Sequence, residues 1–146
     1  MKSCVFFLSA IFLSVIVHTK SIAQNEKFIG SWRIDMDRTL AIMDAGVKMR
    51  YDTLSTETHS RAVNAMKDHE FTFSKDGSVA VNWTAGSEPR ISRGNWSVDK
   101  PRGDLLITVG KRTTVYSYEF PSGTTLILRG KQKRGFFDNL YLEKIN

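Results

Sequence analysis

Apolar residues recur at every second position along most of the chain beyond residue 70. Phe71 and Phe73 alternate with Thr72 and Ser74, and Val79, Val81 and Trp83 alternate with Ala80, Asn82 and Thr84. Gly94, Trp96 and Val98 form the next such row, followed by Leu105, Ile107 and Val109. Successive side chains on a strand point to opposite faces, so each row predicts a half-buried β-strand. Residues 113–120, 124–129 and 136–144 complete the set. Turn residues separate the rows. Lys75-Asp76-Gly77 carries the Asp-Gly hairpin signal, and Lys100-Pro101-Arg102-Gly103, Gly110-Lys111 and Pro121-Ser122-Gly123 supply Pro and Gly where the backbone must reverse. Residues 85–92, with Gly86 and Pro89, read as a loop, and residues 130–135 as a basic loop.

Upstream the pattern differs. Residues 28–35 (Phe-Ile-Gly-Ser-Trp-Arg-Ile-Asp) read as a first strand, with Gly30 marking a bend or close approach. From Arg38 the period becomes helical: Leu40, Met43, Val47, Tyr51 and Leu54 fall on one face. Asp37 is a reasonable N-cap for that helix. Ser55-Thr56 ends it and starts a second helix, which carries Ala62, Val63 and Met66 and runs to about Lys67. One strand, a helix pair and seven strands predict a mainly β fold: an eight-stranded antiparallel up-and-down barrel with the helix pair between strands 1 and 2. Closure removes exposed sheet edges, and eight strands enclose an interior able to hold one small ligand.

Residues 1–23 read as a cleavable signal peptide rather than as part of the fold. Lys2 precedes an apolar run over 4–17, interrupted only by Ser9 and Ser14, and Ser21 and Ala23 are the small residues of a cut after Ala23. The run is too short for a membrane span of about 20 residues. Cys4, the only cysteine, precedes that run, which is the wrong place for a lipoprotein anchor. The expected mature domain, 24–146, has no cysteine and so must be held by its core, and the expected location is periplasmic or secreted. Losing Lys2 and Lys20 takes two positive charges from the formal +6. The remainder is mildly basic and too weak to argue for nucleic acid.

Gly30-Ser31-Trp32 resembles the G-x-W of the first lipocalin strand, and the longer Lys27-Phe28-Ile29-Gly30-Ser31-Trp32 resembles the opening of fatty-acid-binding proteins. The ordered set of Phe71-Thr72-Phe73, Asp76-Gly77, a second G-x-W at Gly94-Asn95-Trp96, Leu126-Ile127-Leu128 and Leu140-Tyr141-Leu142 looks like small exported bacterial lipocalin-like domains. The chain thus resembles the calycin superfamily over most of residues 24–146. That resemblance implies a barrel and a small ligand inside it. It departs from fatty-acid-binding proteins in having fewer strands and in lacking their R-x-Y carboxylate clamp, where Asn139-Leu140-Tyr141 stands instead.

No catalytic constellation is visible. His59 and His69 are ten apart with no cysteine nearby, so no metal site is expected. Ser97-Val98-Asp99-Lys100 spells S-x-x-K but straddles a strand end and a turn, where the motif needs a helix and two partner motifs. Asp35 and Asp37 read as solvated or capping groups. Asn82-Trp83-Thr84 and Asn95-Trp96-Ser97 are formal glycosylation sequons inside predicted strands. No cofactor is implied and no enzymatic activity is expected.

The inward rows remain as candidates. Trp32, Phe73, Trp83, Trp96, Tyr116, Tyr118 and Leu128 either fill the barrel as core or line an aromatic pocket, with Tyr116, Tyr118 or Arg129 orienting a small hydrophobic molecule. The first helix would cap the open end through Met43, Val47 and Tyr51. Lys131, Lys133 and Arg134 in the basic loop form either a solvated hairpin loop or a contact for an anionic membrane surface or acidic partner. Two functions follow from these readings. One is an exported lipocalin-like binding protein. The other is a periplasmic protein-interaction module, an inhibitor or envelope-assembly factor, with a filled barrel.

Overall fold

The computed structural model describes residues 26–85, 87–132 and 135–145. The expected signal peptide, Lys133 and Arg134 lie outside them.

Eight strands close into an antiparallel barrel in simple sequence order. They are β1 (Gly30–Ile34), β2 (Glu70–Phe73), β3 (Ser78–Ala85), β4 (Glu88–Asp99), β5 (Asp104–Val109), β6 (Arg112–Ser122), β7 (Thr125–Gly130) and β8 (Asn139–Lys144). Each pairs with its chain neighbour, and β1 closes the ring by pairing Trp32, Arg33 and Ile34 with Lys144, Glu143 and Leu142 of β8. The fold class and strand number are those the alternation predicts. No helix among the described residues is long and apolar enough to cross a membrane.

Between β1 and β2 there are three helices rather than two: α1 (Met36–Ala41), α2 (Ala45–Asp52) and α3 (Thr56–Met66). The predicted first helix is broken at Ile42–Asp44, and its cap is Asp35 rather than Asp37. The Asp35 carboxylate accepts from the Arg38 N–H at 3.0 Å. The break has a tertiary cause. Where β1 ends, β8 needs a new neighbour, and α1 supplies one. The Thr39 hydroxyl accepts from the Tyr141 N–H at 3.0 Å and donates to its carbonyl at 3.4 Å. The Asn139 amide then donates to the Ile42 carbonyl at the end of α1. Those bonds tie α1 against the barrel wall, so a straight continuation is lost. The start of α3 follows the sequence expectation: the Ser55 hydroxyl accepts from the Thr58 N–H.

Two other expectations are corrected. Ala85 and residues 88–92 are not loop. They belong to the paired outer arm of β3 and β4, in which Ala85 opposes Glu88 and Asn82 opposes Ile91. Pro89 is tolerated because β4 meets β5 only from Gly94 onward, so this arm has a free edge. Ile91 on the arm is 57% exposed. The first strand, in turn, begins at Gly30 and not at Phe28. Gly30 has φ +125°, a left-handed backbone that turns Phe28 into the barrel end instead of along the wall.

The lower end, where β1 begins, is packed solid. Phe28 is fully buried, with ring centroids 4.8 Å from Tyr118, 4.9 Å from Phe120, 5.5 Å from Trp96 and 6.0 Å from Phe73. The Trp32 indole donates to the Phe28 carbonyl at 2.7 Å, and the Trp96 indole to the Ser74 carbonyl at 3.0 Å. Both polar handles are thus satisfied within the aromatic cluster, as buried indoles require.

Candidate functional site

Above the aromatic floor the barrel is not full. Inward positions of β2, β3, β5 and β6 line a hollow of about 380 Å³ that is open to solvent at the upper end. Its walls are Phe71, Val81, Ile107 and Val109, with Thr114 and Tyr116 on one side and Arg112 at the mouth. The register explains the set. Phe71 opposes Val81, Ile107 opposes Thr114, and Val109 opposes Arg112, so all lie on the same face of the wall. On β4, Gly94 opposes both Val79 and Val109, and Ser92 opposes Val81. That glycine is required by the wall itself: a Cβ there would lie 1.9 Å from the Thr108 carbonyl oxygen.

The chamber has a depth-dependent chemistry. Its floor is aromatic and its walls aliphatic. Tyr116 places a phenol partway down. Burial pushes the Tyr116 pKa above its ordinary value of 10.0, the negative charge of Asp138 raises it further, and the Thr114 hydroxyl opposes both. Tyr116 is therefore a neutral donor at any ordinary pH. Arg112 is exposed, on the same inward row two positions above Thr114.

The residues singled out from sequence divide into three groups. Trp32, Phe73, Trp96 and Tyr118 come together, but as the packed floor, where no cavity separates them. Tyr116 lines the chamber. Trp83 and Arg129 do neither. Trp83 sits at the rim, its indole stacked on His69 at 5.8 Å and 12°. Arg129 is exposed on the outer face beside Ser117, Glu119 and Ile127, because Leu128 and Gly130 take the inward positions of β7. It cannot orient a molecule inside.

The proposed lid residues sit elsewhere. Tyr51 is buried, but its ring lies 4.1 Å from His59, 5.7 Å from Phe136 and 5.9 Å from Phe137. It clamps α2 and α3 to the β7–β8 connection. Met43 and Val47 are half-buried and are not among the chamber walls. Of the basic loop, Lys131 is committed to its own fold: its ammonium is 2.7 Å from both oxygens of Asp104, a carboxylate only 5% exposed.

Sequence reasoning missed Phe71, Val81, Ile107, Val109, Thr114 and Arg112 as wall residues. The signal for Arg112 was present, since Tyr118, Tyr116, Thr114 and Arg112 continue one alternation across the predicted start of the strand. Three wider hollows lie elsewhere, one of about 500 Å³ on the α3 surface beside Leu54, His59 and Val63. The largest, about 730 Å³, lies between α3 and β3 and is rimmed by Arg61, Lys67, Asp68, His69 and Trp83. The third, also about 500 Å³, lies beneath the floor beside Glu26, Ile29, Lys75 and Trp96. All of these hollows, the barrel one included, are open to solvent, and the barrel hollow differs in being walled by the inward faces of the strands, with Phe71, Val81, Ile107 and Val109 as its apolar lining. Among the described residues no cluster of His, Cys, Asp and Glu could hold a metal ion.

No protein-family model matches the chain, and no curated protein matches it significantly. Among solved structures it is similar to a DUF4847 family protein from Bacteroides vulgatus, at 13% identity and a TM-score of 0.49, over 82% of this chain and 94% of that one.

Proposed function

We propose that this protein is an exported, lipocalin-like binding protein that holds a small apolar or amphipathic molecule in the upper chamber of its barrel. The supporting observation is the unequal filling of the interior: aromatic rings close the lower half, while about 380 Å³ stays open above Phe71 and Tyr116. Pockets of roughly 300–1,000 Å³ lined by apolar side chains with a few placed polar groups are the usual form of small-molecule sites. Export follows from the reading of residues 1–23, and binding without turnover from a wall that offers one phenol, one threonine hydroxyl and one guanidinium but no nucleophile–base pair.

Native mass spectrometry of the mature protein purified from its own envelope tests this reading. The expected result is a co-purifying small molecule, or a bound species from a panel of apolar and amphipathic compounds, lost in Val81→Trp, which fills the chamber without introducing charge. An apo mass throughout would overturn the proposal and favour the protein-interaction reading.

A further inference from the structure

We infer that the outer arm of β4, from Glu88 to Arg93, is a docking edge that takes an extended acidic segment of another protein as an added antiparallel strand. This edge lies on the outside of the barrel and acts whether or not the interior holds a molecule.

The edge is open because neighbouring strands differ in length. β3 covers one side of β4 as far as Glu88, whereas β5 ends at Val109, opposite Gly94. The Gly110-Lys111 turn then sends the chain back into β6. Beyond Gly94, among the described residues, the β4 backbone therefore has a strand on one side alone. The Trp96 N–H donates to the Gly77 carbonyl at 2.8 Å. Bonds to one neighbour recur at every second residue of an antiparallel strand, so Gly94, Ser92 and Arg90 bond toward β3, and Ile91 directs its N–H and carbonyl to the open side. Such an edge is a template for a further strand. Ile91 itself stands 57% exposed, an apolar side chain that an added strand covers.

Charge decides the occupant. The register gathers Arg93, Lys111 and Arg112 at the lower end of this edge: Arg93 adjoins Gly94, Gly94 opposes Val109, and Val109 opposes Arg112 across the turn. All three are exposed, and among the described residues none forms an ion pair, whereas Arg90 on the same arm has the Glu88 carboxylate at 2.8 Å. A second copy of this chain, pairing edge to edge, brings these cations against their own kind, and Pro89 has no N–H to give it. The features that deter self-pairing suit a strand bearing carboxylates, because opposite charges on facing strands attract and like charges repel.

The acetylated peptide amide Glu-Glu-Thr-Val-Glu-Val-Thr is a direct probe. Laid antiparallel to β4, it sets acids beside Lys111, Arg93 and Arg90 and a valine beside Ile91. At low salt, fluorescence anisotropy with the mature protein should show it binding roughly tenfold or more tightly than the same peptide with lysine for glutamate. Hydrogen exchange of the Ile91 amide should slow in the complex. N-methylation of the two valines removes peptide donors aimed at β4 and keeps every charge, and should weaken binding roughly tenfold. Ile91→Pro removes the facing donor from the protein, leaves the bonds to β3 in place, and should weaken binding by a similar factor. Arg93→Glu combined with Lys111→Glu, both at exposed positions, should reverse the preference toward the lysine peptide. The methylated peptide keeps the test decisive even where Ile91→Pro fails to fold. Equal binding of the acidic and lysine peptides, binding unchanged by N-methylation, or no binding of the acidic peptide would overturn the proposal. A dimer in sedimentation velocity that Ile91→Pro dissociates would make a second copy the occupant and overturn the acidic partner.

Discussion

Replacing Phe28 with alanine removes the stopper of the lower barrel end. The ring has no solvent exposure and contacts four others, from Phe73, Trp96, Tyr118 and Phe120, at centroid distances of 4.8–6.0 Å. Core Phe→Ala substitutions cost about 3–5 kcal/mol when the site cannot collapse. Each lost tilted or edge-on ring pair is worth about 0.5–1.5 kcal/mol of that. Collapse is restricted here, because Trp32 and Trp96 are held by indole bonds to backbone carbonyls and cannot swing into the void. The expected loss is therefore at least about 3 kcal/mol. For a domain of this size that lowers Tm by roughly 10 °C. Urea unfolding followed by tryptophan fluorescence and by far-ultraviolet circular dichroism would measure it, with Phe28→Leu as the milder control. A loss below about 1 kcal/mol, with an unchanged denaturant slope, would show that the N-terminal segment does not close the barrel.

Two further perturbations follow from other parts of the wall. His69 is half-buried against Trp83, and burial holds its imidazole pKa below the ordinary 6.5, partly offset by the Met66 and Ala65 carbonyls and by Asp68. As pH falls through about 6.5 the unfolded chain takes up a proton before the folded one, so stability should be level above about pH 7 and decline below it. His69→Gln should flatten that decline in urea titrations, and an identical slope in both proteins would refute the assignment. Gly94→Ala places a methyl group 1.9 Å from the Thr108 carbonyl oxygen, which a paired backbone cannot move aside cheaply. A cost of about 1–3 kcal/mol is expected in thermal melts, and an unchanged Tm would mean that β4 and β5 do not approach so closely.

The chain's own periodicities determined the barrel. Alternation with a period of two fixes which side chains share a face, whatever their partners, so the strands, their antiparallel order and the inward placement of Trp32, Phe73, Trp96 and Tyr118 were all legible. Four matters were decided only in three dimensions. Phe28 continues the apolar pattern of β1, and only the left-handed turn at Gly30 distinguishes a plug from one more strand residue. The helical spacing of Leu40 to Leu54 is genuine, yet bonds from Thr39 and Asn139 to groups nearly a hundred residues away break it into two helices. Arg129 follows an apolar row in the sequence, but Leu128 and Gly130 hold the inward positions and leave it on the outer wall. Whether the barrel is filled or hollow depends on side-chain volumes summed across all eight strands. A local pattern shows which residues point inward. Only the closed wall shows whether they meet, and here they meet below Tyr116 and stay apart above it.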